Sequence, residues 1–216
     1  MHVAVRGRRG ACMSMYLFRK YSPLIILVCV FLLARIVASD FFNSYNLSVI
    51  FTMTAVLGFL ALAETIVIFT RGFDLSVGSV ASLSTVIVAA VMLRLHGTMP
   101  DLAVTIIAVL ISLVAGLVMG SINGFTVVVL KIPPFIGTLG GMWIATGFAF
   151  LILRGVPTGL AVSSFKVLGN ARVLFFSVSF LILVAVMLTV HFFIRRTSIG
   201  VRVYAAGGND YAAYLS

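Results

Sequence analysis

Six long apolar runs set the limits on what this chain can become. They cover residues 22–38, 47–69, 75–93, 102–130, 138–153 and 174–194. A helix needs about 20 apolar residues to cross the hydrocarbon core, so each run reads as one membrane-spanning helix. Unpaired backbone amides are costly in lipid, which excludes open sheets from those runs. The expected class is all-α: a polytopic membrane protein with about six transmembrane helices. Composition agrees, since 62% of residues are hydrophobic and 9% charged, against about 25% charged in globular chains. The expected division is an N-terminal tail over 1–21, a transmembrane domain over 22–194 and a polar segment over 195–216.

The net charge of +10 does not point to nucleic acid, because the basic residues stand in short groups at the ends of apolar runs. That arrangement reports topology. With the N-terminus inside, the inner set is Arg6, Arg8, Arg9, Arg19, Lys20, Arg71, Lys131, Arg195, Arg196 and Arg202. The outer set is Arg94, Arg154, Lys166 and Arg172, with Arg35 near the outer end of the first run. Ten against four favours cytoplasmic N- and C-termini and makes 154–173 the longest external loop. The basic N-terminus ahead of an apolar run also fits a signal peptide. Arg35 interrupts that run, however, and Ile36-Val37-Ala38 lacks the small-x-small cleavage pattern, so an uncleaved span is expected.

Helical spacing then sorts side chains. In the third run, Asp74, Gly78, Ala81, Ser82, Thr85 and Ala89 share one face, and Val80, Leu83, Ile87 and Val91 the other. The small, polar face is expected to meet other helices and the bulky face to meet lipid. The fourth run carries Ser112, Gly116, Gly120 and Gly124 at four-residue intervals, and the fifth carries Gly141, Ala145 and Ala149. Both are seams for close helix packing. The fourth run is too long for one straight crossing, so it either bends at Gly120-Ser-Ile-Asn-Gly124 or extends beyond the membrane. Pro133 and Pro134 end it, after which Thr138 and the neighbouring glycines allow a tight re-entry.

Ionisable groups at membrane depth are few. Glu64 and Asp74 lie near the inner interface with Arg71 close to each in sequence, which favours a structural ion pair. Asp74 can also cap the third helix by accepting the amide of Ser76 or Val77. Asn123 and Trp143 can hydrogen-bond between helices or contact a polar solute. No phosphate loop, H-E-x-x-H or G-x-S-x-G is present, and the three histidines and two cysteines show no metal-ligand spacing. No catalytic residue, cofactor or metal is implied, and this chain does not hydrolyse ATP by itself.

Three stretches in order carry a resemblance. They are Arg71-Gly-Phe-Asp-Leu-Ser-Val-Gly-Ser79; Gly120-Ser-Ile-Asn-Gly124 with Lys131-Ile-Pro-Pro-Phe-Ile-Gly-Thr-Leu-Gly140; and Tyr204-Ala-Ala-Gly-Gly-Asn-Asp-Tyr-Ala-Ala-Tyr-Leu-Ser216. Together they resemble the membrane subunits of bacterial ABC importers for simple sugars, the ribose/xylose/arabinose/galactose permease family, over roughly residues 45–216. The resemblance implies a permease of the bacterial inner membrane. Its implied partners are a cytoplasmic ATP-binding subunit, a periplasmic sugar-binding protein and a second permease subunit, alike or different, within membrane lipid. Ser82, Asn123, Thr138 and Trp143 become candidates for the solute path. Gly207, Gly208, Asn209, Tyr211 and Leu215 become candidates for coupling to the ATP-binding subunit: the glycines end one element, Asn209 caps the next, and the apolar side chains dock in a groove.

Glu64 and Arg71 depart from the family pattern, in which uncharged residues and Gly are common at those two places. The family also continues with further spans past the point matching Ser216, so the chain is expected to be an N-terminal portion. Two other readings stay open. One is an ion-coupled transporter or channel using Glu64 and Asp74; the other is a nonfunctional fragment.

Overall fold

The computed structural model describes residues 3–153 and 162–208. Among these, six helices are long and apolar enough to cross a membrane, and they follow the six runs closely. The protein is a multi-pass, all-α membrane protein.

The chain separates into two units, Met1–Leu47 and Ser48–Ser216. The first is built on α1 (Val3–Val37), which contains Pro23. Within this unit Phe31 and Phe41 meet edge to face at 5.8 Å, and Phe41 meets Phe42 in the same way at 5.1 Å. Asn43 caps the following helix, α2 (Ser44–Phe69), by accepting the Asn46 amide at 2.7 Å. α2 continues into the second unit.

The second unit packs α3 (Val77–Leu95), α4 (Asp101–Val128) and α5 (Pro134–Leu153) against one another. Its centre is Leu83, Val86, Met119, Ala145 and Ala149, with Val80 and Ile87 of α3 packed alongside. The seam read in the fifth run is realised: Gly141, Ala145 and Ala149 are all buried. A second cluster, Met92, Val104, Ala108 and Val162, holds the opposite end of α3 and α4. There α6 (Ser163–Asn170) is tied to α4 by the Ser163 amide, which donates to Asp101 Oδ2 at 3.2 Å.

One expectation is corrected, and one of two open alternatives is the one observed. The bulky face of α3 is the packed one: Leu83 is 4% exposed, while Ala81, Ser82 and Thr85 are exposed. The neighbouring α5 offers small residues, Ala145 and Ala149, at the contact, and with Met119 of α4 these accommodate large side chains from α3. For the fourth run the alternative of extension holds: Gly120–Gly124 does not interrupt α4, which runs helical through all 28 residues. At about 1.5 Å per residue that is roughly 42 Å, longer than the hydrocarbon core, so the helix projects beyond it.

After α6, a two-residue hairpin pairs β1 (Arg172–Val173) with β2 (Phe176–Ser177). Neither α6 nor the hairpin was expected from the apolar pattern. Phe176 and Phe180 each lie 4.7 Å from Phe51, anchoring this end of the chain to α2. Ser177 caps α7 (Val178–Arg196) by accepting the Phe180 amide. The turn into α8 (Ser198–Gly208) is tight, since a Cβ at Gly200 would overlap the Ile194 backbone.

Candidate functional site

The site is organised by residues 70–76, the turn joining α2 to α3. α2 ends in a Schellman motif: the Gly72 amide returns to the Val67 carbonyl at 3.1 Å and the Arg71 amide to Ile68 at 2.9 Å. Arg71 occupies the left-handed position of that motif with φ 58°. Glycine takes this conformation freely, whereas a side chain there costs about 1 kcal/mol.

The chain then approaches α3 with three successive amides that have no helical partner. Each finds a side-chain acceptor. Asp74 donates to Glu64 Oε1 at 3.2 Å, Leu75 to Thr138 Oγ1 at 3.2 Å and Ser76 to Asp74 Oδ1 at 2.8 Å. The approach is thereby fastened to α2, to α5 and to itself. Asn123 of α4 completes the junction by donating through Nδ2 to Ser76 Oγ at 2.6 Å, with both residues buried. Unpaired, such groups would be costly at this depth, so the four elements are held in one arrangement.

Asn123 reaches Ser76 because α5 has no side chain in the way. A Cβ at Gly141 would overlap the Asn123 amide, whose Oδ1 has no partner among the described residues. Gly141 is therefore a cradle as well as part of a seam. One turn beyond, the Thr146 hydroxyl lies 3.3 Å from that of Ser79.

A second cluster lies on the other side of the same turn, where α8 meets the end of α2. The rings of Phe69 and Tyr204 stack at 4.8 Å. The Arg71 guanidinium donates to the Gly208 carbonyl. A Cβ at Gly207 would overlap the Phe69 carbonyl, so glycine permits the close approach. Arg71 thus belongs to α8, and the expected ion pair with Glu64 or Asp74 does not form among the described residues. Glu64 instead accepts a backbone amide, and Asp74 caps the approach to α3 as read from the sequence.

The candidate residues separate accordingly. Asn123, Thr138 and Asp74 converge on Leu75 and Ser76, whereas Ser82 and Trp143 are exposed, the latter 66% so. Of the packing glycines, Gly116 faces Ser84, while Gly78, Gly120 and Gly124 have open space where a Cβ would stand. Pro134 is the first residue of α5, where its missing amide costs nothing, and the Pro133 carbonyl accepts from Ile136 and Gly137. Gly207 and Gly208 lie at the α2 end; Asn209, Tyr211 and Leu215 fall outside the described residues. Sequence reasoning missed the hydroxyl of Ser76 and the partners of Arg71 and Tyr204. Ser76 could have been found, as a polar residue directly after a capping Asp-Leu pair. No group of metal-binding side chains occurs among the described residues.

Known proteins are similar to this chain over most of its length. The chain is 33% identical over 204 residues to the fructose import permease protein FrcC of Rhizobium meliloti, covering 90% of this chain and 55% of that protein. It is 31% identical over 197 residues to the autoinducer 2 import system permease protein LsrC of Salmonella paratyphi B, covering 88% and 53%. It is 33% identical over 210 residues to the inner membrane ABC transporter permease protein YjfF of Escherichia coli K12, covering 92% and 61%. The chain thus spans little more than half the length of these curated relatives. No solved structure matches it significantly. Residues 46–216 match the family described as branched-chain amino acid transport system / permease component. That match takes in all three motifs and every residue of both clusters, and the chain belongs to that permease family.

Proposed function

We propose that this chain forms the membrane-spanning permease portion of an ATP-driven importer in the bacterial inner membrane, carrying a monosaccharide or sugar-like solute. Fructose and autoinducer 2 in the names of its relatives suggest that class of solute. ATP hydrolysis belongs to a separate cytoplasmic subunit, and an external binding protein delivers the solute. The termini lie in the cytoplasm, as the distribution of basic residues favours. The 22–194 region is the translocating domain and 195–216 the coupling segment.

The observation that carries this reading is the double attachment of the α2–α3 turn. On one side, α8 grips it through Tyr204, Gly207 and Gly208. On the other, the hydrogen bonds of residues 74–76 join it to α2, α4 and α5. A force applied to α8 by an ATP-binding subunit would reach the start of α3 through Phe69 and Arg71. The exposed face of α3 with Ser82, together with Trp143 of α5, would meet the solute or a second permease subunit. Asn123 and Thr138 would then act behind that surface by fixing α3 in place.

A cross-linking experiment tests the coupling assignment. Val201 is exposed on α8. With Val201→Cys, α8 is expected to cross-link to a co-expressed ATP-binding subunit and to lose the cross-link or change its yield when ATP is trapped. No cross-link from Val201→Cys or from the neighbouring exposed Ile199→Cys would remove α8 from the coupling role.

A further inference from the structure

Between α2 and α7 lies a groove of about 440 Å³ that takes no part in either cluster's hydrogen bonding. Leu183, Met187, His191 and Arg195 line it from α7 at four-residue spacing, so they form one stripe along the helix. The opposite wall, on α2, runs from Gly58 past Thr65 to Phe69. At Gly58 the walls touch, since a Cβ there would overlap Leu183. At the other end, the Phe69–Tyr204 stack forms the floor.

The chemistry of the stripe changes along its length. It is apolar through Leu183 and Met187, then basic at Arg195, the last turn of a membrane-spanning helix, with His191 one turn before it. No acidic side chain is paired with either among the described residues. Hydrocarbon at depth and a cation at the interface match an amphiphile with an anionic head. His191 and Arg195 are both exposed, so an anionic headgroup can reach them at the interface without the cation being buried.

We propose that this groove binds an anionic phospholipid of the leaflet in which α7 ends. One acyl chain lies along Met187 between α2 and α7, and the phosphate accepts from the Arg195 guanidinium and a His191 ring N–H. The proposal rests on the membrane spans alone and stands independently of the transport reading.

The chain contains a single tryptophan, Trp143, which makes a fluorescence test direct. Trp143→Phe combined with Met187→Trp places the only indole in the groove; Trp143→Phe with Thr65→Trp gives a second reporter should the first disturb packing. Each is reconstituted in phosphatidylcholine vesicles containing the same low mole fraction of brominated phosphatidylglycerol or brominated phosphatidylcholine. Brominated phosphatidylglycerol is expected to quench with about fivefold higher apparent affinity, the preference one interfacial Arg supplies. Adding Arg195→Gln and His191→Gln should equalise the two lipids while both still quench. Equal quenching before those substitutions would make the groove ordinary lipid-facing surface. Quenching by neither lipid, with either reporter, would mean that protein fills the groove. Either result overturns the proposal.

Discussion

Ser76 has no exposed surface, yet among the described residues its hydroxyl is the only point where α4 is hydrogen-bonded to the approach into α3. That contact depends on an absence, the missing side chain of Gly141. Gly141→Ala should therefore displace Asn123 and leave Ser76 unpaired, a loss of about 1–3 kcal/mol. Gly140→Ala, where a Cβ meets nothing within 4 Å, is the matched control and should be near neutral. Thermal unfolding of the two variants in detergent checks this, and equal midpoints would refute the cradle. Arg71 presents the reverse case. Its backbone is strained and its side chain supplies the benefit. Arg71→Gly should relax the turn by about 1 kcal/mol and at the same time free α8, seen as faster proteolysis at residues 197–208. A variant with a looser turn but unchanged protection of α8 would show that Phe69 and Tyr204 hold the helix without Arg71.

At the scale of elements, length and hydrophobicity were sufficient to place all six spans, because crossing lipid imposes a length that the chain cannot evade. The proline stop after α4 and the Asp74 cap were equally legible, being local backbone chemistry. Which way α3 faces was not. Lipid tails are as apolar as leucine, so a bulky face gains little by choosing lipid over protein, and packing decides. In α3 that choice went to Leu83 and Val86, which fit against Ala145 and Ala149. Leu83→Ala should accordingly cost about 2–5 kcal/mol, whereas Leu117→Ala, at a position 70% exposed, should cost little. Equal effects in an unfolding titration would restore the lipid-facing assignment. The short α6 and the hairpin escaped notice because two to eight residues carry too little periodicity to read. The Arg71–Gly208 contact joins residues 137 apart, and no local pattern announces such a pairing.

For the whole molecule, the two clusters on either side of one turn describe a mechanical link from α8 to the packed core of α3, α4 and α5. The small-residue face of α3 with Ala81, Ser82 and Thr85 is exposed on this chain, which leaves it available to the solute or second subunit proposed above. The competing ion-coupled reading needs a carboxylate free to bind and release a cation. Glu64 and Asp74 each use one carboxylate oxygen to hold a backbone amide of the α2–α3 turn, a structural role that needs no ion. The decisive measurement is solute uptake by vesicles containing this permease, a cognate ATP-binding subunit and a sugar-binding protein. Uptake is compared with ATP withheld, with ion gradients dissipated, and with Gly207→Ala, which forces α8 off the Phe69 carbonyl. The account predicts uptake that requires ATP, survives loss of the gradients and falls at least about tenfold in Gly207→Ala. Uptake that persists without ATP and collapses with the ion gradient would contradict it.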